Sequence, residues 1–249
     1  ELYISRIERF NPTLNCVVTT NFDDARAQAD LADSEVSVGK TLGPLHGLPI
    51  TVKDALETAG IQSTGGAREL LGNIPERDAP VVKAVKDAGA IVMAKTNLPR
   101  WSGDLQTFND IFGTTNNPWD IDRVPGGSSG GAAAAVAAGL TAFEIGTDIG
   151  GSIRYPSSFC GVFGHKPSFG IVPSRGYLDH EFGGSNEADV NVVGPIARSA
   201  EDLEMLLNVM RRRDAALQAS LELAPPALEQ TRIAVWFEDN FCPVERKAL

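Results

Sequence analysis

Short apolar runs alternate with segments of helical periodicity along this chain of 249 residues. Apolar residues spaced as at Val81, Val82 and Val85 indicate a helix with one buried face. Continuous apolar runs of about five residues are typical of strands buried in a sheet. The pattern predicts strands at 48–52, 90–94, 140–145 and 233–237, and helices at 79–88, 130–139 and 199–210. This alternation predicts an α/β fold with a mostly buried sheet.

Two of the helical segments carry signals at their ends. Residues 2–10 already have helical spacing, and no initiator methionine or signal peptide precedes them, so we expect a fragment that begins inside a helix. In the helix over 199–210, Ser199 is the expected N-cap. Glu201 and Asp202 follow in the first turn, where negative charge suits the helix dipole.

Charge and cysteine content narrow the class of protein. The formal net charge of −10 argues against general binding to nucleic acid or anionic membranes, which requires a basic surface. Cys16, Cys160 and Cys242 are far apart in sequence, which disfavours a disulfide framework or a zinc site. That spacing fits a reducing compartment, so we expect a cytoplasmic location. No apolar run is long enough to span a membrane.

Two polar segments are predicted to lack regular structure. Residues 109–131 are rich in Gly, Asn and Pro, which indicates an ordered surface loop. Residues 211–230 contain three consecutive arginines and Pro225-Pro226, and this segment is predicted to be mobile. The arginine run is interpreted as a solvated helix end rather than a binding patch.

Glycines frame two serine clusters, GGSSGG at 126–131 and GGS at 150–152. Glycine lets the backbone bend sharply and leaves bare N–H groups beside the serine, which points to nucleophilic catalysis. Residues 126–130 also fit G-x-S-x-G, the nucleophile elbow of α/β-hydrolases. That elbow needs an apolar strand directly upstream, and the upstream residues here include prolines and charges. An esterase of that class is therefore a weaker alternative.

A serine can also be activated by a lysine that burial keeps neutral. Lys53 is the best candidate, because it follows the apolar strand predicted at 48–52. A lysine at a strand end is also commonly part of a surface ion pair. The pattern alone leaves both interpretations open.

Seven ordered motifs resemble those of the amidase signature family. They are PITVKD at 49–54, AKTNLP at 94–99, NPW at 117–119, PGGSSGG at 125–131, GTDIGGSIR at 146–154, GVFGHKP at 161–167 and VGPIAR at 193–198. The resemblance implies the amidase signature fold, with a mixed, mostly parallel central sheet flanked by helices on both faces. Since the family's catalytic domains are longer, we expect residues 1–249 to be a single domain that is incomplete at the C-terminus and at the N-terminus.

The resemblance also implies a role for each residue that matches a family motif. Ser152 matches the acylated nucleophile, Ser128 the bridging serine preceded by a cis peptide bond, and Lys53 the base. The backbone N–H groups of the oxyanion hole match Ile149, Gly150, Gly151 and Ser152. Ser102 matches a residue that lines the scissile amide, and Ser129 and Arg154 match supporting residues around the triad.

The implied activity is hydrolysis of a small-molecule amide through an acyl-serine intermediate, with release of ammonia or an amine and a carboxylic acid. The family implies no cofactor and no metal, and a homodimer is one expected assembly. Glutaminase subunits of tRNA amidotransferases usually carry glutamine where Tyr155 stands here, which favours a stand-alone amidase. The alternatives are a non-catalytic fragment and the glutaminase subunit of an amidotransferase.

Overall fold

The computed structural model describes residues 1–187, residues 189–211 and Arg232. Contacts divide the chain into two units, Glu1–Arg212 and Arg213–Leu249, and every described helix and strand belongs to the first. The strand predicted at 233–237, residues 212–230 of the segment predicted to be mobile, and Cys242 lie outside the described residues. The single domain expected over residues 1–249 stays a prediction.

The described part contains six α-helices and eight strands. The helices are α1 (Leu2–Leu14), α2 (Phe22–Ser37), α3 (Pro80–Asp87), α4 (Gly130–Ala137), α5 (Arg154–Cys160) and α6 (Ala200–Met210). The strands are β1 (Val17–Thr20), β2 (Pro49–Lys53), β3 (Ile91–Thr96), β4 (Phe108–Asn109), β5 (Gly113–Thr114), β6 (Glu144–Asp148), β7 (Phe163–Gly164) and β8 (Val192–Ala197). Helices and strands alternate, so the α/β class is confirmed.

The strands form three sheets, with orders β1-β3-β2, β4-β5 and β6-β8-β7. β2 pairs parallel with β3, and α3 supplies the crossover connection that a parallel pair requires. The remaining pairings among the described strands are antiparallel. The sheet β1-β3-β2 has one parallel and one antiparallel pair, which confirms the expected mixed character. The expected predominance of parallel pairing is not found in this part of the chain.

Most of the predicted elements form where the pattern placed them. The strand predicted at 48–52 is β2, and the strand predicted at 90–94 is β3 with a longer C-terminal end. The helices predicted at 79–88 and 130–139 are α3 and α4, each slightly shorter than predicted. Ser199 is the N-cap of α6, since its Oγ accepts a hydrogen bond from the backbone N–H of Asp202 at 3.1 Å.

The strand predicted at 140–145 was wrong over its first half, because β6 begins only at Glu144. Leu140 and Phe143 are buried in a turn, and the Leu140 N–H donates to the carbonyl of Ala135 at 2.8 Å. An apolar run signals burial, and here it buries the turn after α4 rather than a strand.

Small residues let α4 enter the core beside the serine cluster. Every residue from Gly130 to Val136 is buried. A Cβ atom on Gly131 would lie 2.4 Å from the backbone oxygen of Asn97, so the two backbones meet closely there. The predicted surface loop holds for residues 118–124, which are exposed or half-buried, but residues 125–131 are buried with α4.

Cys16 and Cys160, the cysteines within the described residues, are buried free thiols. Burial raises the pKa of each to about 12, which leaves both thiols protonated and unreactive at neutral pH. Across residues 1–187 and 189–211, no helix combines the length and the apolar character needed to cross a membrane.

Candidate active site

Lys53 ends β2 and is completely buried. Its Nζ atom hydrogen-bonds to two hydroxyl groups, Ser128 Oγ and Thr147 Oγ1, each at 2.7 Å. Ser128 comes from the segment before α4 and Thr147 from β6, so three separate parts of the chain converge on one amine. The lysine predicted at a strand end therefore belongs to a buried hydroxyl cluster and not to a surface ion pair.

Burial lowers the pKa of Lys53 to about 7. The carboxylates of Glu144 and Asp148 act in the opposite direction and raise it by less. A substantial fraction of the lysine side chains is thus neutral near pH 7, and a neutral amine has a lone pair that can accept a proton. This environment suits a general base.

Ser128 is buried, and the peptide bond between Gly127 and Ser128 is cis, which confirms the expectation for this position. Gly127 is tightly enclosed, because a Cβ atom there would lie 2.7 Å from the backbone oxygen of Asp104. No strand lies between β5 and α4 in this part of the chain. The nucleophile elbow of an α/β-hydrolase is therefore excluded, since it requires a strand directly before the serine.

Ser152 lies in the turn between β6 and α5 and is 8% exposed. The backbone N–H of Ser129 donates to the carbonyl oxygen of Ser152 at 3.1 Å. This hydrogen bond joins the two glycine-framed clusters. The Ser129 hydroxyl donates to the backbone oxygen of Thr147 at 3.2 Å and accepts from its N–H at 3.3 Å. Ser129 thus holds the turn of Ser152 and the end of β6 beside α4.

Asp148 organises the turn that carries Ser152. Its Oδ1 accepts a hydrogen bond from the N–H of Gly151 at 2.8 Å, and its Oδ2 accepts one from the N–H of Ile153 at 3.0 Å. Both oxygens also bind the Arg154 guanidinium, at 3.0 Å from Nε and 2.9 Å from Nη2. Burial acts to raise the pKa of Asp148, but these hydrogen bonds outweigh it and hold the pKa below its ordinary value.

The structure differs from expectation at one of the four oxyanion-hole positions. The Gly151 N–H is already bound to Asp148, so it is not free to bind a developing negative charge. The N–H groups of Ile149, Gly150 and Ser152 make no hydrogen bond within the described residues. These three groups lie in one turn, and convergent free N–H groups are the usual components of an oxyanion hole.

Ser102 ends a short 3₁₀ turn, Arg100–Ser102. Trp101 and Ser102 have φ angles of 53° and 56°, in the left-handed region that non-glycine residues rarely adopt. Such conformations cluster at ligand-binding sites. The contact of Ser102 with substrate stays a prediction.

Glu144 is a buried carboxylate where β2 and β6 lie side by side. Its Oε2 accepts hydrogen bonds from the backbone N–H of Lys53 at 3.1 Å and of Ile145 at 2.7 Å. Its Oε1 accepts from the Thr96 hydroxyl at 2.7 Å. Burial raises the pKa of Glu144 to about 7, against these hydrogen bonds, which lower it. Glu144 thus holds the backbone of Lys53 in place through this hydrogen bond.

We expect Glu144→Gln to flatten the pH dependence of stability. The folded protein keeps the Glu144 proton up to about pH 7, whereas the unfolded chain loses it near the ordinary value of 4.5. Between these values the folded state binds more protons, so the free energy of unfolding falls as the pH rises, by on the order of 1–3 kcal/mol. Urea unfolding across this window measures the slope. The exposed Glu204→Gln serves as the control, and equal slopes in wild type and Glu144→Gln would contradict the prediction.

Sequence reasoning missed Thr147, Asp148 and Glu144 as members of the site. Asp148 had a readable signal, because an aspartate directly before a glycine turn commonly accepts the N–H of a residue two or three positions later. Thr147 and Glu144 had none, since their contacts with Lys53 cross from β6 to β2. Only the tertiary fold brings them together.

Comparisons with known proteins identify the family. The model of the Amidase family matches residues 1–248. The A subunit of the glutamyl-tRNA(Gln) amidotransferase of Picosynechococcus sp. is 40% identical over 226 residues, which are 91% of this chain and 45% of that protein. The protein of the same name from Oleidesulfovibrio alaskensis is 43% identical over 212 residues, 85% of this chain and 42% of its own length.

Solved structures give the same result for the fold. The peptide amidase of Stenotrophomonas maltophilia superposes with a TM-score of 0.76 at 35% identity, over 90% of this chain and 46% of that one. The A subunit of the glutamyl-tRNA(Gln) amidotransferase of Thermotoga maritima superposes with a TM-score of 0.71 at 34% identity, over 86% of this chain and 43% of that one. The chain spans less than half the length of these relatives. The family match, the shared fold and the buried lysine between two hydroxyls lead to one conclusion: this chain belongs to the amidase family, also called the amidase signature family.

Proposed function

We propose that this protein hydrolyses the C–N bond of an amide through an acyl intermediate on Ser152. The observation that carries the proposal is the buried Lys53 amine, 2.7 Å from the Ser128 hydroxyl and with its pKa lowered to about 7 by burial. A lysine in this state can act as a base at neutral pH, and the two described side chains that it hydrogen-bonds are hydroxyls rather than a histidine.

In the proposed first step, Ser152 Oγ attacks the amide carbon while its proton passes to Ser128. Ser128 gives its own proton to the neutral Nζ of Lys53. The Nζ atom continues to donate a hydrogen bond to Thr147 Oγ1. The carbonyl oxygen becomes an oxyanion next to the free N–H groups of Ile149, Gly150 and Ser152. One well-placed donor of this kind contributes about 3–4 kcal/mol to the transition state.

The second half of the cycle returns the proton. The leaving nitrogen takes it from lysinium through Ser128 as the C–N bond breaks, and ammonia or an amine departs. Water then attacks the acyl-serine and gives its proton along the same path to Lys53. The bond between the acyl carbon and Ser152 Oγ breaks, Ser152 Oγ takes the proton back through Ser128, and the carboxylic acid is released. We assign supporting roles to Ser129, whose hydroxyl hydrogen-bonds the backbone of Thr147, and to Arg154, which forms an ion pair with Asp148.

Reaction with a fluorophosphonate probe tests the nucleophile. Attack by Ser152 Oγ forms an O–P bond and expels fluoride, so we expect one label per chain, located at Ser152 by mass spectrometry of protein expressed from its complete reading frame. Ser152→Ala should remove the label, whereas Ser158→Ala, at an exposed serine in α5, should keep it. A folded protein without label at Ser152 would overturn the proposal and favour a non-catalytic role.

A second candidate function is that of an amidotransferase subunit, in which the same chemistry releases ammonia from an amide donor for a partner protein. The names of the Picosynechococcus and Oleidesulfovibrio relatives favour it. The peptide amidase of Stenotrophomonas maltophilia favours the stand-alone amidase. Glutamine-dependent ammonia release that requires copurified subunits would support the amidotransferase. Turnover of simple amides by the purified protein alone would support the amidase. The homodimer and the cytoplasmic location stay predictions.

A further inference from the structure

The ring of Tyr155 lies against the turn that carries Ser152. A Cβ atom on Gly151 would lie 2.2 Å from Cε2 and 2.4 Å from Cδ2 of Tyr155, so the ring occupies the space that a side chain at position 151 would need. Gly151 has a φ angle of 121°, a conformation that side chains rarely allow. Since Gly151 directly precedes Ser152, the ring packs one residue away from the proposed nucleophile.

The backbone of Tyr155 is fixed by both serine clusters. Its N–H donates to the carbonyl of Gly151 at 2.7 Å, within the second cluster. The next residue, Pro156, is buried, and a Cβ atom on Gly126 would lie 2.8 Å from its Cα atom. Gly126 opens the first cluster, so the start of α5 packs against the segment that leads to Ser128.

Solvent reaches the apolar side chains at both ends of this turn. Tyr155 is 45% exposed, and Ile149, at the other end, is 53% exposed. Gly150 is exposed as well. The N–H groups of Ile149 and Gly150, which we assign to the oxyanion hole, therefore lie between two accessible apolar side chains. A substrate whose carbonyl oxygen binds there has room to contact them.

The turn offers no uncompensated charge to a substrate. Arg154 is the one charged residue in the sequence from 149 to 155. Its guanidinium binds both oxygens of Asp148, at 3.0 Å from Nε and 2.9 Å from Nη2. A bidentate pair of this kind compensates both charges. Apolar surface is therefore what the turn presents beside the N–H groups.

We propose that Tyr155 is a specificity residue whose ring packs against an apolar group of the substrate beside the scissile amide. The inference rests on the proposed function and deepens it, since it names the class of substrate: an amide with an alkyl or aryl group on its carbonyl carbon. Phe159, one helical turn further along α5 and 51% exposed, extends the apolar surface away from the turn. Each methylene removed from water favours binding about fourfold, so two or three methylenes against the ring give roughly tenfold or more.

Two fluorophosphonates of equal chain length test the inference, one with an alkyl chain and one with a polyether chain. The labelling rate of each is divided by the rate of its own hydrolysis in buffer, which removes differences in reactivity at phosphorus. We expect the wild type to label Ser152 at least about tenfold faster with the alkyl probe. Tyr155→Gln should remove most of this preference by slowing the alkyl probe. Tyr155→Phe should retain the preference, because the ring remains. Phe169→Gln, at a phenylalanine that is 60% exposed, is the control and should also retain it.

Four results would overturn the inference. Equal corrected rates with the two probes in wild type would do so without any variant. A preference that persists in folded Tyr155→Gln would place its origin elsewhere, and an equal loss with both probes would show that the ring only supports the turn. These three results leave the proposed function intact. No label from either probe in folded wild type would overturn the proposed function and this inference together.

Discussion

Replacement of Lys53 by methionine is expected to lower the rate of Ser152 acylation by roughly 10³-fold or more, as is usual when a general base is removed. Methionine fills a similar volume in the buried site but cannot accept the proton that passes from Ser152 through Ser128. The rate of fluorophosphonate labelling measures this loss directly. The exposed Lys83→Met, which breaks only a surface pair with Asp87, should leave the rate unchanged.

The pH dependence gives a second measure of the same amine. Since burial lowers the pKa of Lys53 to about 7, the base is neutral above that pH and protonated below it. Labelling of the wild type should therefore fall about tenfold for each pH unit below about 7 and level off above it. A wild-type profile without this bend, or acylation that survives in Lys53→Met, would contradict the assignment of Lys53 as base.

The free energy of unfolding shows whether Lys53→Met has lost only its base or has also lost its fold. Between pH 7 and the ordinary lysine pKa of 10.5, the unfolded chain binds more protons than the folded one, so Lys53 lowers stability below this window and the penalty disappears as the pH rises through it. Lys53→Met removes the penalty but leaves the Ser128 and Thr147 hydroxyls unpaired, which acts in the opposite direction. We expect the free energy of unfolding at pH 7 to change by less than about 2 kcal/mol.

Local patterns in the sequence predicted the helices and strands that carry the site, but they did not predict the contacts between its side chains. The apolar run before Lys53 was enough to predict β2, and Ser199 was enough to predict the start of α6. Ordered motifs gave the roles expected of Ser128 and Ser152, because those motifs stand out in sequence. These signals are local, and each depends only on a few adjacent residues.

Contacts between distant segments could not be predicted in the same way. Lys53 and Ser128 are 75 positions apart, and Thr147 reaches the same amine from β6. The engaged N–H of Gly151 was also missed, because glycines before a serine look equally free in sequence.

Asp148→Asn is expected to lower the rate of Ser152 acylation by roughly 10²-fold, the loss typical of a damaged oxyanion hole. The carboxylate holds the turn by accepting hydrogen bonds from the backbone N–H groups of Gly151 and Ile153, while both oxygens bind Arg154. An asparagine has one acceptor oxygen, and its NH₂ group would face a donor. The turn must then shift, and the free N–H groups of Ile149 and Gly150 shift with it.

Arg154→Gln removes the ion pair with Asp148 but leaves the hydrogen bonds between Asp148 and the backbone of the turn. The variant therefore shows which of the two interactions acylation depends on. The Arg154 side chain is 53% exposed and that of Asp148 is fully buried, so the arginine can be solvated when its partner is lost. In Arg154→Gln the carboxylate keeps its backbone donors, and acylation should fall by less than in Asp148→Asn. Labelling rates of both variants, with unfolding curves to establish that each is folded, make the comparison. Equal losses would assign the effect to the ion pair, and a larger loss in Arg154→Gln would contradict the role of Asp148 as the anchor of the turn.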